Sequence, residues 1–72
     1  MQIRSEMTAN VWKVLVSEGD TIEADQEIVI LESMKMEIPV PAETSGSLTR
    51  LAVAEGDTLN EGDLIAVIGD RA

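Results

Sequence analysis

The chain contains an internal repeat at an offset of 37 residues. The segment 16–22, Val-Ser-Glu-Gly-Asp-Thr-Ile, returns over 53–59 as Val-Ala-Glu-Gly-Asp-Thr-Leu, and the apolar run 28–31 returns at 65–68. A repeated unit of this length usually cannot bury its apolar face alone, so two copies bury each other's faces. In 72 residues the repeat predicts a single domain over 1–72, with halves at about 9–35 and 46–72.

The residue types favour strands over helices. Seven Val, seven Ile and five Thr supply many β-branched side chains, which fit a pleated and half-buried surface. The Gly-Asp pairs at 19–20 and 56–57 predict turns, because Gly tolerates positive φ and Asp is a common turn residue. We therefore expect an all-β protein of eight short strands, arranged as two sheets with pseudo-twofold symmetry around one core.

The segment 10–16 is open to two interpretations. As a strand it would place Trp12, Val14 and Val16 on one face and Val11, Lys13 and Leu15 on the other. A helix is also possible, since Val11, Val14 and Leu15 fit helical spacing. The valines and the nearby Gly19 favour the strand.

Two further strands are expected around the middle of the chain. The continuous apolar run 28–31 lies between glutamates, which is typical of a strand covered on both faces or crossing the core. Ile38 and Val40 alternate with Pro39 and Pro41. Because proline cannot donate a ladder hydrogen bond, the segment 38–41 is predicted to be an edge strand.

The acidic net charge limits the classes of partner that the chain is expected to bind. Fourteen acidic against five basic residues give a net charge of −9, and such a surface would be repelled by a nucleic acid or an anionic membrane. Solubility is a sufficient reason for the acidity, and steering towards basic grooves of partner enzymes is a further benefit. No apolar run approaches the ~20 residues that span a bilayer, and the amino-terminal segment has no apolar signal core. The expected compartment is the cytoplasm.

Catalytic and metal-binding chemistry is poorly supported by the residues available. The chain has no Cys and no His, so disulfides, thiolate or imidazole metal ligands and a near-neutral acid or base are all excluded. No serine pairs with a recognisable base. We therefore expect no catalytic residues and no metal site, and a protein that is not itself an enzyme.

Lys35 is the candidate functional residue. It is one of two lysines and lies near the midpoint of the chain, within the hexapeptide 32–37. Residues 27–31 and 37–40 flank Met34-Lys35 closely enough to form a hairpin with that dipeptide at its tip. Two-residue hairpins usually need Gly, Asn or Asp, so Met-Lys breaks a local rule, and such a break often marks a functional site.

The internal repeat gives a further reason to regard this turn as functional. The position 37 residues beyond Lys35 is Ala72, so the second copy is not expected to contain its own lysine turn. The plainer alternative is that Met34 and Met36 fill the core while Lys35 is an ordinary solvated charge. The Met-Lys-Met context, the unrepeated turn and the scarcity of lysine favour the functional interpretation.

These residues carry a family resemblance. The chain resembles the biotinyl/lipoyl attachment domains, and within them the biotin carriers of biotin-dependent carboxylases, whose signature Glu-Ala-Met-Lys-Met stands at 32–36 as Glu-Ser-Met-Lys-Met. The resemblance covers essentially the whole chain and includes Val11, Val16, Gly19-Asp20, Ile38, Val40-Pro41-Ala42, Gly46, Gly56-Asp57 and Gly62. It implies a flattened barrel-sandwich hybrid of two four-stranded antiparallel sheets.

The resemblance also implies a function. Lys35 would form an amide with the carboxyl group of biotin, a reaction performed by a biotin protein ligase. The biotinyl-lysine would then act as a swinging arm on a monomeric carrier, moving carboxyl groups from a biotin carboxylase to a carboxyltransferase. Met34 and Met36 would be the recognition flanks. The remaining hairpin residues are Glu32, Ser33 and Glu37.

Two alternatives stay open. Lipoyl domains usually carry Asp-Lys-Ala at this hairpin, so Met-Lys-Met favours biotin, but a lipoate carrier or a dual carrier served also by a lipoyl ligase is possible. The other alternative is an unmodified barrel-sandwich module used in assembly. The segment 5–9, Ser-Glu-Met-Thr-Ala, departs from the Ala-Pro-Met-Pro-Gly common in carboxylase carriers, so the path of this loop is not predicted.

Overall fold

A computed structural model describes residues 1–69 of the chain, and these residues form eight β-strands. The strands are β1 (Gln2–Arg4), β2 (Ala9–Val14), β3 (Thr21–Ile22), β4 (Glu27–Ser33), β5 (Met36–Pro41), β6 (Gly46–Leu51), β7 (Thr58–Leu59) and β8 (Leu64–Gly69). Ala72 and the end of the predicted repeat half 46–72 lie outside the described residues. Among the described residues, no helix is long and apolar enough to cross a membrane.

The strands form two four-stranded sheets, one in the order β1-β8-β6-β3 and the other in the order β5-β4-β2-β7. Every pair of neighbours is antiparallel. If each strand is replaced by its counterpart one repeat away (β1 by β5, β2 by β6, β3 by β7, β4 by β8), the first order becomes the second. The predicted all-β barrel-sandwich hybrid with pseudo-twofold symmetry is confirmed.

The two halves share even their irregularities. The register of β2 against β4 shifts between Val11 and Lys13, and that of β6 against β8 shifts between Leu48 and Arg50, each 37 residues later. A β-bulge of this kind places an extra residue on one strand and increases its local twist. The repeat therefore encodes the bend of each sheet as well as its strands.

Reciprocal hydrogen bonds join the halves. The Glu55 carboxylate Oε2 accepts a bond from the Val14 backbone N–H at 3.1 Å, and Glu18 Oε2 accepts one from the Leu51 N–H at 3.0 Å. Each acceptor belongs to the repeat that does not contain its donor. Glu18 and Glu55, which precede the two Gly-Asp turns, thus each bind the end of the bulged strand in the other half.

The turns form as the Gly-Asp pairs predicted. Gly19 and Gly56 have φ of 92° and 94°, in the left-handed region that glycine adopts without steric cost. Asp20 Oδ2 accepts a hydrogen bond from the Ser17 N–H at 2.9 Å, and Asp57 Oδ2 accepts one from the Ala54 N–H at the same distance. Each turn is therefore closed by its own aspartate.

A single aliphatic core lies between the sheets. Its largest fully buried side chains are Ile22, Ile28, Leu31, Leu48, Ile65, Ile68, Val11 and Val29. Ile28 and Val29 are neighbours in β4 and both are fully buried, at the point where the register of β4 against β5 shifts. A β-bulge interrupts the alternation of faces, so the apolar run marks a buried, bulged strand of the core.

The strand at 10–16 is confirmed as β2, but the predicted division of its faces is wrong. Val11 is 2% exposed, whereas Trp12 is 40% exposed and Lys13 lies 5.5 Å from the centre of its ring. The bulge between Val11 and Lys13 interrupts the alternation of faces, so the residue pattern before it cannot be extended through it. The strand also ends at Val14, before the buried Val16.

The edge-strand prediction is confirmed for β5. This strand ends its sheet and pairs with β4. Its two prolines, Pro39 and Pro41, thus occupy a strand that has one ladder partner, which is where proline is tolerated in a sheet.

Candidate functional site

The segment 32–37 forms the tip of the β4–β5 hairpin. Ser33 pairs with Met36, and Met34 and Lys35 are the two turn residues between them. Their φ angles are 52° and 66°. Positive φ at both central residues is the requirement of a type I′ turn, whose twist matches that of the strands it joins. The predicted hairpin with Met-Lys at its tip is confirmed.

The turn holds two ordinary side chains in a conformation that suits glycine. The left-handed region costs an L-residue about 1–2 kcal/mol, and neither methionine nor lysine offers a short polar side chain to offset it. The long β4–β5 ladder, with paired positions from Glu27–Pro41 to Ser33–Met36, over-determines the turn. The amine of Lys35 is therefore presented from a fixed place despite the local strain.

The side chains of the tip point into solvent. Met34 is 92% exposed and Met36 is 63% exposed, and Lys35 is exposed between them. The alternative in which both methionines fill the core is wrong. Both thioether side chains are thus left in water on either side of Lys35.

Two like charges face each other directly below the tip. Glu32 pairs with Glu37 across the hairpin, and both side chains are exposed. Like charges directly opposite in an antiparallel pair are destabilising, by about 0.2–1 kcal/mol. The hairpin therefore carries two carboxylates next to its tip and one cation, Lys35, at the tip.

One long hydrogen bond joins the hairpin to the loop whose path the sequence left open. Ser33 Oγ donates a hydrogen bond to the Thr8 carbonyl oxygen at 3.5 Å. Within that loop the buried Ser5 Oγ donates to the Met7 carbonyl at 2.5 Å and accepts from the Met7 N–H at 3.4 Å. Serine turns of this kind are a known local motif, so Ser5 was the signal that could have predicted this loop.

Lys35 lies outside the groove between the two edge strands. A groove of about 540 Å³ runs between the edge strands β1 and β5, and its lining includes Ile3, Met7, Ile38 and Val40 but none of the residues 32–37. The candidate site is thus a convex tip. A tip can present a reactive group to another protein, but it cannot surround a substrate or exclude water from it.

We expect Met34→Asn to raise the stability of the domain. Asparagine tolerates the left-handed region that Met34 occupies, so the free energy of unfolding should rise by about 0.5–1 kcal/mol. Urea denaturation would measure this change. Met36→Asn is the matched control, because residue 36 lies in β5 outside the turn and gains nothing from a left-handed preference. Equal stabilities for Met34→Asn and the unsubstituted protein would contradict the strain at the turn.

Comparison with protein families gives one match over most of the chain. The family model described as "Biotin-requiring enzyme", for biotin and lipoyl attachment, matches residues 1–68. A biotin/lipoyl attachment protein of Bacillus subtilis is 51% identical over 65 residues, which are 90% of this chain and 89% of that protein. A biotinylated protein TB7.3 homolog of Mycobacterium leprae is 52% identical over 66 residues, 92% of this chain and 93% of that protein.

A solved structure shows the same relationship in three dimensions. The chain superimposes on part of the urea carboxylase of Kluyveromyces lactis with a TM-score of 0.88 and 38% sequence identity. The aligned region is 96% of this chain and 6% of that one. The fold is therefore one that also occurs as a small part of a much longer chain.

Proposed function

Since this chain belongs to the family of biotin- and lipoyl-attachment domains, we propose that it is a carrier whose Lys35 is biotinylated and moves carboxyl groups between two enzymes. Membership of the family accounts for a carrier module and not for a catalytic one. Biotin as the group, Lys35 as its attachment point and carboxyl transfer as the process are the proposal.

The exposed tip carries this proposal. Attachment requires a ligase to reach the Nζ atom of Lys35, and that side chain projects from a two-residue turn with exposed neighbours on both sides. The other lysine, Lys13, lies within β2 and packs over Trp12. Lys35 is therefore the amine that an active site can enclose without disturbing the sheets.

The residues around the amine have separate roles in the proposal. The lysine Nζ forms an amide with the biotin carboxyl group, which the ligase must first activate because a lysine ammonium is a poor nucleophile. Met34 and Met36 supply flexible, polarizable surface for the ligase to contact. Ser33 connects the hairpin to the loop at Thr8 through one long hydrogen bond. When attached, biotin supplies the ring nitrogen that carries the carboxyl group.

The partners proposed are a biotin protein ligase, a biotin carboxylase and a carboxyltransferase. A convex tip with little surface around it predicts small and transient interfaces, of about 1,200 Å² or less. The net charge of −9 would speed encounters with basic grooves on these partners, and the rate should fall as salt is added. The proposed domain is a monomer of residues 1–72, with repeat halves at about 9–35 and 46–72. The equivalence of β1–β4 and β5–β8 in the two strand orders supports a twofold repeat.

Lipoate is the second candidate. The Bacillus subtilis relative is named for attachment of both groups, and the fold presents the lysine in the same way whichever acid is attached. Met34 and Met36 favour biotin because they replace the Asp and Ala that the resemblance to lipoyl domains would require. A dual carrier, served also by a lipoyl ligase, would retain the same Lys35 chemistry.

Intact-mass spectrometry of the protein expressed in cells that contain both ligases tests the choice. We expect the mass of one biotinyl group on one molecule of protein. A lipoyl increment in its place would refute the preference for biotin, and a mixture would identify a dual carrier. An unmodified mass under conditions in which a known biotin acceptor is fully loaded would favour the assembly module.

A further inference from the structure

The two methionines beside Lys35 are more exposed to solvent than the other two in the chain. Met34 is 92% exposed and Met36 is 63% exposed, whereas Met1 and Met7 are 39% and 36% exposed. Attack on a thioether requires access to its sulfur, so oxidation follows exposure. Met34 should react first and Met36 second, because no packing against the domain protects the tip.

We propose that Met34 and Met36 are a peroxide-sensitive modification site that controls the loading of Lys35. Hydrogen peroxide transfers one oxygen atom to the thioether sulfur as its O–O bond breaks, and the other oxygen leaves as water. The sulfur is oxidised by two electrons and the peroxide is reduced. The product, methionine sulfoxide, is polar and chiral where the thioether was apolar.

The position of the two sulfurs links this oxidation to loading. They flank Lys35 on both sides in sequence, and Met36 closes the turn by pairing with Ser33. A ligase that encloses Lys35 must also cover these side chains. A sulfoxide at either position binds water, which the ligase would have to remove or keep at the contact, and so weakens an apolar contact. The lysine itself is chemically unchanged. This inference rests on the proposed function, since it concerns the step at which the ligase contacts the hairpin.

Oxidation at the tip should leave the fold intact. Both side chains lie outside the core, so a sulfoxide on either one removes no buried contact. Reduction by the methionine sulfoxide reductases, one for each epimer, should then restore the original surface. The site would act reversibly, without unfolding and without damage to the amine.

The test begins with purified, unloaded protein treated with increasing hydrogen peroxide, followed by catalase. Peptide mass mapping should find sulfoxide first at Met34, then at Met36, and several-fold later at Met1 and Met7. A purified biotin protein ligase with biotin and ATP is then added. We expect loading of the oxidised protein to slow by roughly tenfold, as when the apolar contact of one methionine is lost, and to recover after both reductases act.

Variants separate the tip from the rest of the protein. Met34→Leu/Met36→Leu keeps apolar surface but cannot form sulfoxide, so its loading rate should not change with peroxide. Met7→Leu is the matched control and should stay sensitive. Equal loading of oxidised and untreated protein would overturn the inference alone, and so would loading that the reductases do not restore. If untreated protein is not loaded at all, the proposed function fails as well.

Discussion

Lys35→Arg is expected to abolish the attachment of biotin, with no biotinyl mass on protein from cells that load the unsubstituted chain completely. A guanidinium keeps the positive charge but is a very poor nucleophile. The substitution should leave the fold unaffected, because residue 35 lies in an exposed turn and buries nothing. Intact mass measures the loss, and denaturation should give a free energy of unfolding within about 0.5 kcal/mol of the original.

Lys13→Arg is the matched control for this result. Lys13 lies in β2, and its amine is 5.5 Å from the centre of the Trp12 ring. Arginine keeps such a cation–π contact, so Lys13→Arg should fold normally and carry biotin to the same extent as the unsubstituted chain. A biotin label mapped to Lys13, or any label that survives Lys35→Arg, would contradict the assignment of the hairpin tip.

Gly46→Ala should produce the largest loss of stability from a single methyl group. A Cβ at Gly46 would overlap the carbonyl oxygen of Gly69 and lie 2.8 Å from Cγ2 of Ile68. Neither atom can move freely, since one belongs to the backbone of β8 and the other to the core. We expect a cost of about 3 kcal/mol, as for a severe overpacking, and a melting temperature lower by roughly 15 °C.

Gly19→Ala separates this overlap from the general effect of replacing a glycine. No atom lies within 4 Å of a Cβ built at Gly19, but its φ is +92°, so the variant should lose about 1 kcal/mol to backbone strain. Thermal and urea denaturation of both variants measure the difference. If Gly46→Ala is no less stable than Gly19→Ala, then β6 and β8 can separate enough to admit a methyl group, and the packing argument is wrong.

The hairpin shows how far local sequence could lead. Alternating apolar residues and prolines on one side of Met34-Lys35 and an apolar run on the other predicted two paired strands, and the poor turn chemistry singled out the dipeptide. The structure explains why poor chemistry is tolerated there. The β4–β5 ladder extends to the closing pair Ser33–Met36, and this ladder stabilises a turn that an isolated peptide would avoid.

The loop at 5–9 shows where local sequence was insufficient. Its departure from the proline-containing family pattern left its path unpredicted. In the structure, hydrogen bonds of the Ser5 hydroxyl shape the loop, and the Thr8 carbonyl accepts the Ser33 hydroxyl from a residue 25 positions away. That contact depends on how β2 and β4 pair, and no neighbouring residue could reveal it.

The sequence by itself determined the repeat, the all-β class, the hairpin and the choice of Lys35 as the candidate residue, because each depends on residue spacing within one segment or on the comparison of two segments. The tertiary structure decided which side chains face the core in β2, that the loop at 5–8 contacts the hairpin, and that both flanking methionines lie in solvent. A bulge shifts every side chain beyond it, and exposure depends on what other strands cover. Both are properties of the pairing between distant residues, which only the folded chain brings together.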